Sequence, residues 1–189
     1  MPRFLRTAKR AALSPMERGT AMHALMQHLD FAEVPDIAAI ERQARSLFDQ
    51  GILTEEAYQS LDVRNVWRFV SSALGRRLRD AKRVYRELPF GRLLPAKKYY
   101  KEAQDEADRI FLQGIIDVLF EEENGDYILL DYKTDRHISP QDARTRYQFQ
   151  IDLYCDAVET ILGRPVKECY LFLLDTGREV RMERQAASA

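Results

Sequence analysis

Residues 110–135 read IFLQGIIDVLFEEENGDYILLDYKTD, two apolar runs separated by an Asn124-Gly125 step. The first run, Ile110 to Glu121, and the second, Tyr127 to Lys133, are rich in Ile, Leu, Val, Phe and Tyr and bounded by polar residues. Each therefore reads as a strand, and the pair as a β-hairpin. Apolar side chains fill both strand parities, Ile115 and Leu119 against Ile116, Val118 and Phe120. A strand apolar on both sides belongs in the middle of a covered sheet. Asp117, Asp131 and Lys133 are set into these runs. Charges there are costly unless something compensates them, and a metal ion would.

Register decides whether the two acids meet. A two-residue Asn124-Gly125 loop puts Asp117 opposite Tyr132, with Asp131 on the other face. A three-residue loop, Glu123-Asn124-Gly125 with Gly125 left-handed, puts Asp117 opposite Asp131, with Lys133 sharing their face. The second register is preferred because it explains three charges in an otherwise apolar pair; a bulge would achieve the same. Facing carboxylates repel unless a cation lies between them. Mg²⁺ suits such oxygen ligands, with water and a substrate phosphate completing its octahedron. A bound metal activates water, and a neighbouring lysine orients it and offsets developing charge. The competing reading is a surface hairpin with an incidental Asp–Lys pair, and spacing alone favours neither.

Asp117 followed by Asp131-Tyr132-Lys133 resembles the D…(D/E)-x-K signature of the PD-(D/E)XK nuclease superfamily. Three further segments sharpen the likeness to its RecB-like branch. Gly19-Thr20-Ala21-Met22-His23 resembles the branch's G-x-x-x-H motif, Gln150-Ile151-Asp152-Leu153-Tyr154 its Q-x-x-x-Y motif, and Arg86-Glu87-Leu88-Pro89-Phe90 its glutamate-containing middle motif. All stand in the family's order, from Pro15 to about Asp175. The wording is most similar to the nuclease domains of AddA-type helicase–nucleases. The resemblance implies a restriction-endonuclease-like α/β fold, a mixed central sheet flanked by helices. It implies that His23, Asp117, Asp131 and the backbone carbonyl of Tyr132 hold Mg²⁺, with Mn²⁺ able to substitute, and that Lys133 is the catalytic lysine. Gln150 and Tyr154 would organise the site or contact DNA, and Glu87 is a possible addition. The implied activity is hydrolysis of single-stranded DNA, of the 3′-terminated strand, during double-strand-break repair and recombination. The implied partners are the helicase domains of a parent chain and an AddB-type protein, in a bacterial cytoplasm. A catalytically silent docking module and a structure-specific endonuclease are the alternatives.

The remaining sequence sets bounds. A chain of 189 residues with 46% apolar content suits one globular domain. Residues 1–14 read as a basic arm, and residues 15–189 as one nuclease domain, mainly helical over 15–82 and sheet-based over 84–183. No apolar run approaches the ~20 residues of a membrane helix, nor does the start resemble a signal peptide, so a soluble intracellular protein is expected. Cys155 and Cys169 are read as buried reduced thiols, and two cysteines cannot supply the four an iron–sulfur cluster needs. No phosphate-loop motif for ATP occurs. The net charge of −1 does not speak for DNA binding. Two basic stretches could still touch a strand, or be solvated faces: Arg76, Arg77, Arg79, Lys82, Arg83 and Arg86, and Lys97, Lys98 and Lys101 beside Tyr99 and Tyr100.

Helical periodicity and caps predict helices from Pro15 to Leu29, Asp36 to Gln50, Glu55 onward, and Val63 towards Lys82. Strands are expected at Val84 to Leu88, around Lys97 to Glu102, and in the hairpin. Ser139-Pro140 opens a last helix that Gly163 closes, over about 140–162. Val166 to Leu174 reads as a buried strand and Glu179 to Met182 as an edge.

Overall fold

The computed structural model describes residues 13–96, 105 and 107–184. The arm up to residue 12, the stretch predicted as a strand near Lys97, and the second basic stretch therefore lie outside the described residues. Contacts divide the chain into two compact units, joined between Trp67 and Arg68.

The first unit is helical. α1 (Pro15–His28) starts in a capping box: Glu17 N–H donates to the Ser14 hydroxyl, and the Glu17 carboxylate accepts from the Ser14 amide. α2 (Ile37–Asp49) is capped by Asp36 and α3 (Glu55–Ser60) by Thr54, both as the sequence predicts. Most of α4 (Val63–Val70) follows. Leu25, Met26, Ile40 and Ala44, on the predicted apolar stripes, are almost fully buried.

The second unit contains the end of α4, α5 (Ala73–Arg79), β1 (Arg83–Pro95), β2 (Arg109–Glu121), β3 (Tyr127–Lys133), α6 (Pro140–Leu162), β4 (Val166–Leu173) and β5 (Arg178–Met182). The helix expected to run on to Lys82 is in fact two, because Ser72 ends one and caps the next by accepting from Gly75 N–H. The five strands lie in the order β1-β2-β3-β4-β5, antiparallel except for β3 beside β4. This is the mixed α/β sheet expected. A parallel pair needs a crossover, and α6 supplies it. β1 extends well past the predicted Leu88, through Pro89 and Gly91. It can do so because it is an edge strand, where a proline's missing N–H breaks no ladder.

Seven-residue β3 is buried through Tyr132, as a covered central strand should be. On one side α6 packs Ile151, Tyr154, Cys155 and Val158 against Leu129, Cys169 and Leu171. Opposite, Phe69 makes edge-on contacts with Tyr132 and Phe172 at centroid distances of 5.1 and 4.8 Å. Cys155 and Cys169 are free buried thiols with their sulfurs 2.8 Å apart. Burial and this contact push the Cys155 thiol far up, which keeps it from acting as a thiolate.

The first basic stretch is taken up by acids of the fold. Arg77 reaches Glu122 and Glu168, both at 2.7 Å, and Arg79 meets Asp80 at 3.2 Å. Lys82 and Arg83 face Glu121 at 3.2 and 3.9 Å. A charge run that looks like a strand-binding surface is here largely a set of ion pairs tying α5 and β1 to the sheet.

Candidate active site

The hairpin takes the preferred register. Glu121 pairs with Tyr127 and Val118 with Leu130, and Glu122 N–H donates to Asp126 O across the loop. That leaves Glu123-Asn124-Gly125 as the loop, closed by Gly125 N–H on Glu122 O. Gly125 has φ 85°, a conformation that a Cβ would strain. One further step in this register sets Asp117 beside Asp131. There the ladder between β2 and β3 stops. The Asp117 carboxylate takes the place of a backbone acceptor, its Oδ2 receiving Tyr132 N–H at 2.7 Å. The side chain that opens the two strands is thus held in place by the strand it parts from.

Glu87 faces Asp117 from the other side. Arg86 pairs with Val118 and Leu88 with Ile116, so Glu87 and Asp117 are opposite, and each offers a carboxylate oxygen within 4.8 Å of the other's. Glu87 has φ 49°, a strained value for a residue with a side chain. The core changes parity at this pair. Leu119 and Ile116 belong to the same α6-facing cluster, and Tyr85 and Leu88 both pack on it. A regular strand would send residues three apart to opposite faces. The irregular pair is what lets both sides contribute.

Asp131, 2% exposed, stands in β3 two residues before Lys133. The Lys133 ammonium lies 2.6 Å from Asp131 Oδ2 and donates to Gln150 Oε1 at 2.8 Å. Gln150 Nε2 in turn donates to the Tyr154 hydroxyl at 2.7 Å. Gln150 and Tyr154 sit one turn apart on α6, on one face, so a β-strand lysine and a helix are joined through a single amide. Tyr154 is fixed further by Phe90, edge-on at 5.4 Å. Gly114 permits this, since a Cβ there would lie 2.8 Å from the Phe90 ring. Burial pushes the Tyr154 phenol up to about 12, with Asp131, Asp117 and Glu87 adding to the rise and the Gln150 hydrogen bond opposing it. That phenol remains neutral near pH 7. Burial also raises the Tyr132 phenol, and the Asp117 charge adds to it.

Six of the eight predicted side chains or backbone groups form this cluster together with Glu87: Asp117, Asp131, Tyr132, Lys133, Gln150 and Tyr154. His23, the remaining one, sits half-buried on α1 in the first unit. Sequence reasoning missed Tyr147 and Asp135. The Lys133 ammonium lies 4.1 Å from the Tyr147 ring centre, and the Tyr147 hydroxyl donates to Asp135 Oδ2 at 2.6 Å. Tyr147 falls on the apolar stripe of α6 and so reads as core. Its spacing of three residues before Gln150 is the signal that would have placed it beside the lysine. Chemically the donor set fits a hard divalent cation: carboxylates grouped on three adjacent strands, with no soft ligand among them.

The family model for the PD-(D/E)XK nuclease superfamily matches residues 2–189. An ATP-dependent helicase/nuclease of Heliobacterium modesticaldum is 44% identical over 188 residues, covering 96% of this chain and 13% of the relative. A protein of the same name in Ruminiclostridium cellulolyticum is 40% identical over 186 residues, covering 96% of this chain and 14% of the relative. The chain thus spans 13% and 14% of the length of these two relatives. A solved structure, "Crystal structure of SSO0001", aligns with TM-score 0.42 and 13% identity over 92% of this chain and 79% of that one.

Proposed function

Since the chain belongs to the PD-(D/E)XK nuclease superfamily, we propose that Asp117, Asp131, His23 and the Tyr132 backbone carbonyl hold Mg²⁺, replaceable by Mn²⁺, for hydrolysis of single-stranded DNA. The observation that carries this reading is the chain of contacts from Asp131 through Lys133 and Gln150 to Tyr154, next to Asp117. When bound, the cation supplies an activated water and charge stabilisation at the phosphoryl group. The protein's residues do the rest. Asp117 is braced by Tyr132 N–H and so presents a fixed carboxylate. Lys133 carries its positive charge to the edge of the acidic cluster, where its N–H groups can orient a water or a phosphoryl oxygen. Gln150 accepts one N–H of Lys133, leaving others to face the substrate. Tyr154, neutral at pH 7, anchors Gln150 so that the amide oxygen keeps its aim.

The named relatives support placing this nuclease in an AddA-type helicase–nuclease that processes double-strand breaks in a bacterial cytoplasm, cutting the 3′-terminated strand beside an AddB-type protein. Among the described residues no helix is long and apolar enough to cross a membrane. The test is cleavage of labelled linear single strands, circles and junctions with Mg²⁺ or Mn²⁺, with and without chelator. Chelator-sensitive cutting of linear strands that Asp131→Ala and Lys133→Ala both abolish is the expected result. Metal binding without cleavage would instead mark a docking module, and cutting confined to junctions a structure-specific enzyme.

A further inference from the structure

The Lys133 ammonium is gripped from three directions: by Asp131 Oδ2 at 2.6 Å, by Gln150 Oε1 at 2.8 Å, and by the Tyr147 ring at 4.1 Å. The third contact is not incidental. Tyr147 sits on α6 three residues before Gln150, so both reach the lysine from one helix face. Its ring is fixed at the far end, where the hydroxyl donates to Asp135 Oδ2 at 2.6 Å and Arg146 holds the other Asp135 oxygen at 2.8 Å. Asp135 itself follows Lys133 by two residues. The bracket therefore runs from the chain just beyond the lysine, through a helix residue, and back onto the lysine's own ammonium. Burial and the Asp135 charge raise the Tyr147 phenol, so it stays a neutral donor with its ring face unchanged.

We infer that Tyr147, braced by Asp135, is a positioning residue for Lys133, holding the ammonium over its ring so that it keeps its aim when Asp131 is engaged elsewhere. This rests on the catalytic reading of Lys133 given above. A lysine has a flexible stem and a compact charge with no preferred plane. Asp131 is also a proposed metal ligand, so its pull on the ammonium is the contact least available during the reaction. Gln150 gives one directional hydrogen bond. The ring gives an attraction that holds the charge against one wall without using up an N–H. Two contacts that do not compete for the same proton leave the outward N–H groups for substrate.

The experiment compares Tyr147→Leu and Tyr147→Phe, each with Lys133 present and with Lys133→Ala. The readouts are single-turnover cleavage of a single-stranded oligonucleotide in Mn²⁺, oligonucleotide affinity in chelator, thermal melting, and the Lys133 ¹³Cε resonance in the metal-free protein. Tyr147→Leu should lower the cleavage rate ~3- to 30-fold, the range a cation–π contact covers, with affinity held. Tyr147→Phe keeps the ring and should stay within about twofold. With Lys133→Ala present, Tyr147→Leu should add no further loss. In the parent chain the Lys133 Cε resonance should carry a ring-current shift that Tyr147→Leu removes and Tyr147→Phe retains. A rate loss in Tyr147→Leu that persists undiminished without Lys133, or an unshifted Cε resonance, overturns the inference. An unchanged rate in Lys133→Ala itself defeats the catalytic reading of the lysine, a separate result that the resonance shift does not share.

Discussion

Replacing Lys133 by methionine separates what the lysine does for the fold from what it does in the site. Its side chain is 12% exposed and that of Asp131 3%, with 2.6 Å between the charges. Methionine keeps the stem's length and apolar packing and removes only the ammonium. Breaking one side of a buried ion pair costs about 3–5 kcal/mol, chiefly because the partner charge stays buried and uncompensated. For a domain of this size, each 1 kcal/mol moves Tm by roughly 2–4 °C. Lys133→Met should therefore melt about 6–20 °C lower than the parent chain in chelator. Asp131 then stands near Asp117 and Glu87 with no ammonium beside it. A divalent cation becomes the compensating charge, so the variant should bind Mn²⁺ more tightly than the parent. At a hundred times Kd a ligand adds about 2.7 kcal/mol, enough to recover much of the loss. Cleavage should nevertheless remain down by roughly 10²–10³-fold, the scale of losing one electrostatic stabiliser of the reaction. Melting by circular dichroism across a Mn²⁺ titration, alongside the cleavage assay, reads all three quantities. Equal Mn²⁺ stabilisation of variant and parent would refute the argument, since it would mean Asp131 lies outside the ion's field.

Gly114→Ala should destabilise by about 1–3 kcal/mol, because the new Cβ would meet the Phe90 ring at 2.8 Å in a packed core; Phe90→Leu in the same chain should restore part of the melting temperature. The Tyr154 phenol is raised in the folded state to about 12, so its contribution to stability is complete below pH ~10 and lost as pH climbs towards about 12. Denaturant titrations of the parent and Tyr154→Phe should therefore diverge least above that window and most below it. Arg77→Ala breaks the contacts with Glu122 and Glu168. It should cost on the order of 1 kcal/mol, since these partly exposed pairs are screened, while oligonucleotide affinity measured by fluorescence anisotropy stays unchanged, because the guanidinium is engaged in the fold.

The local signals in the sequence were the reliable ones. Gly125 and the three-residue loop set the hairpin register by turn chemistry alone, and that register already brings Asp117 beside Asp131. Ser14, Asp36, Thr54 and Ser139 mark helix starts because a cap is decided by a residue and the three after it. Gln150 and Tyr154 share a face because helical spacing requires it. What escaped was non-local. The length of β1 through Pro89 depends on that strand lying at the sheet's edge, which no window of sequence records. The basic run at Arg76–Arg86 looks free until the fold brings Glu121, Glu122 and Glu168 against it. The parity change at Glu87 and Asp117 is likewise a tertiary outcome, because a strained residue is tolerated only where the surrounding packing holds it. Tyr147 is the sharpest case. Its apolar stripe position follows from periodicity, whereas the ammonium against its ring follows from α6 crossing over β3. Sequence determined which groups the protein owns and which lie on a common face of each element; only packing those elements decided which faces meet, since contact energies between distant residues exist only once the chain has closed on itself.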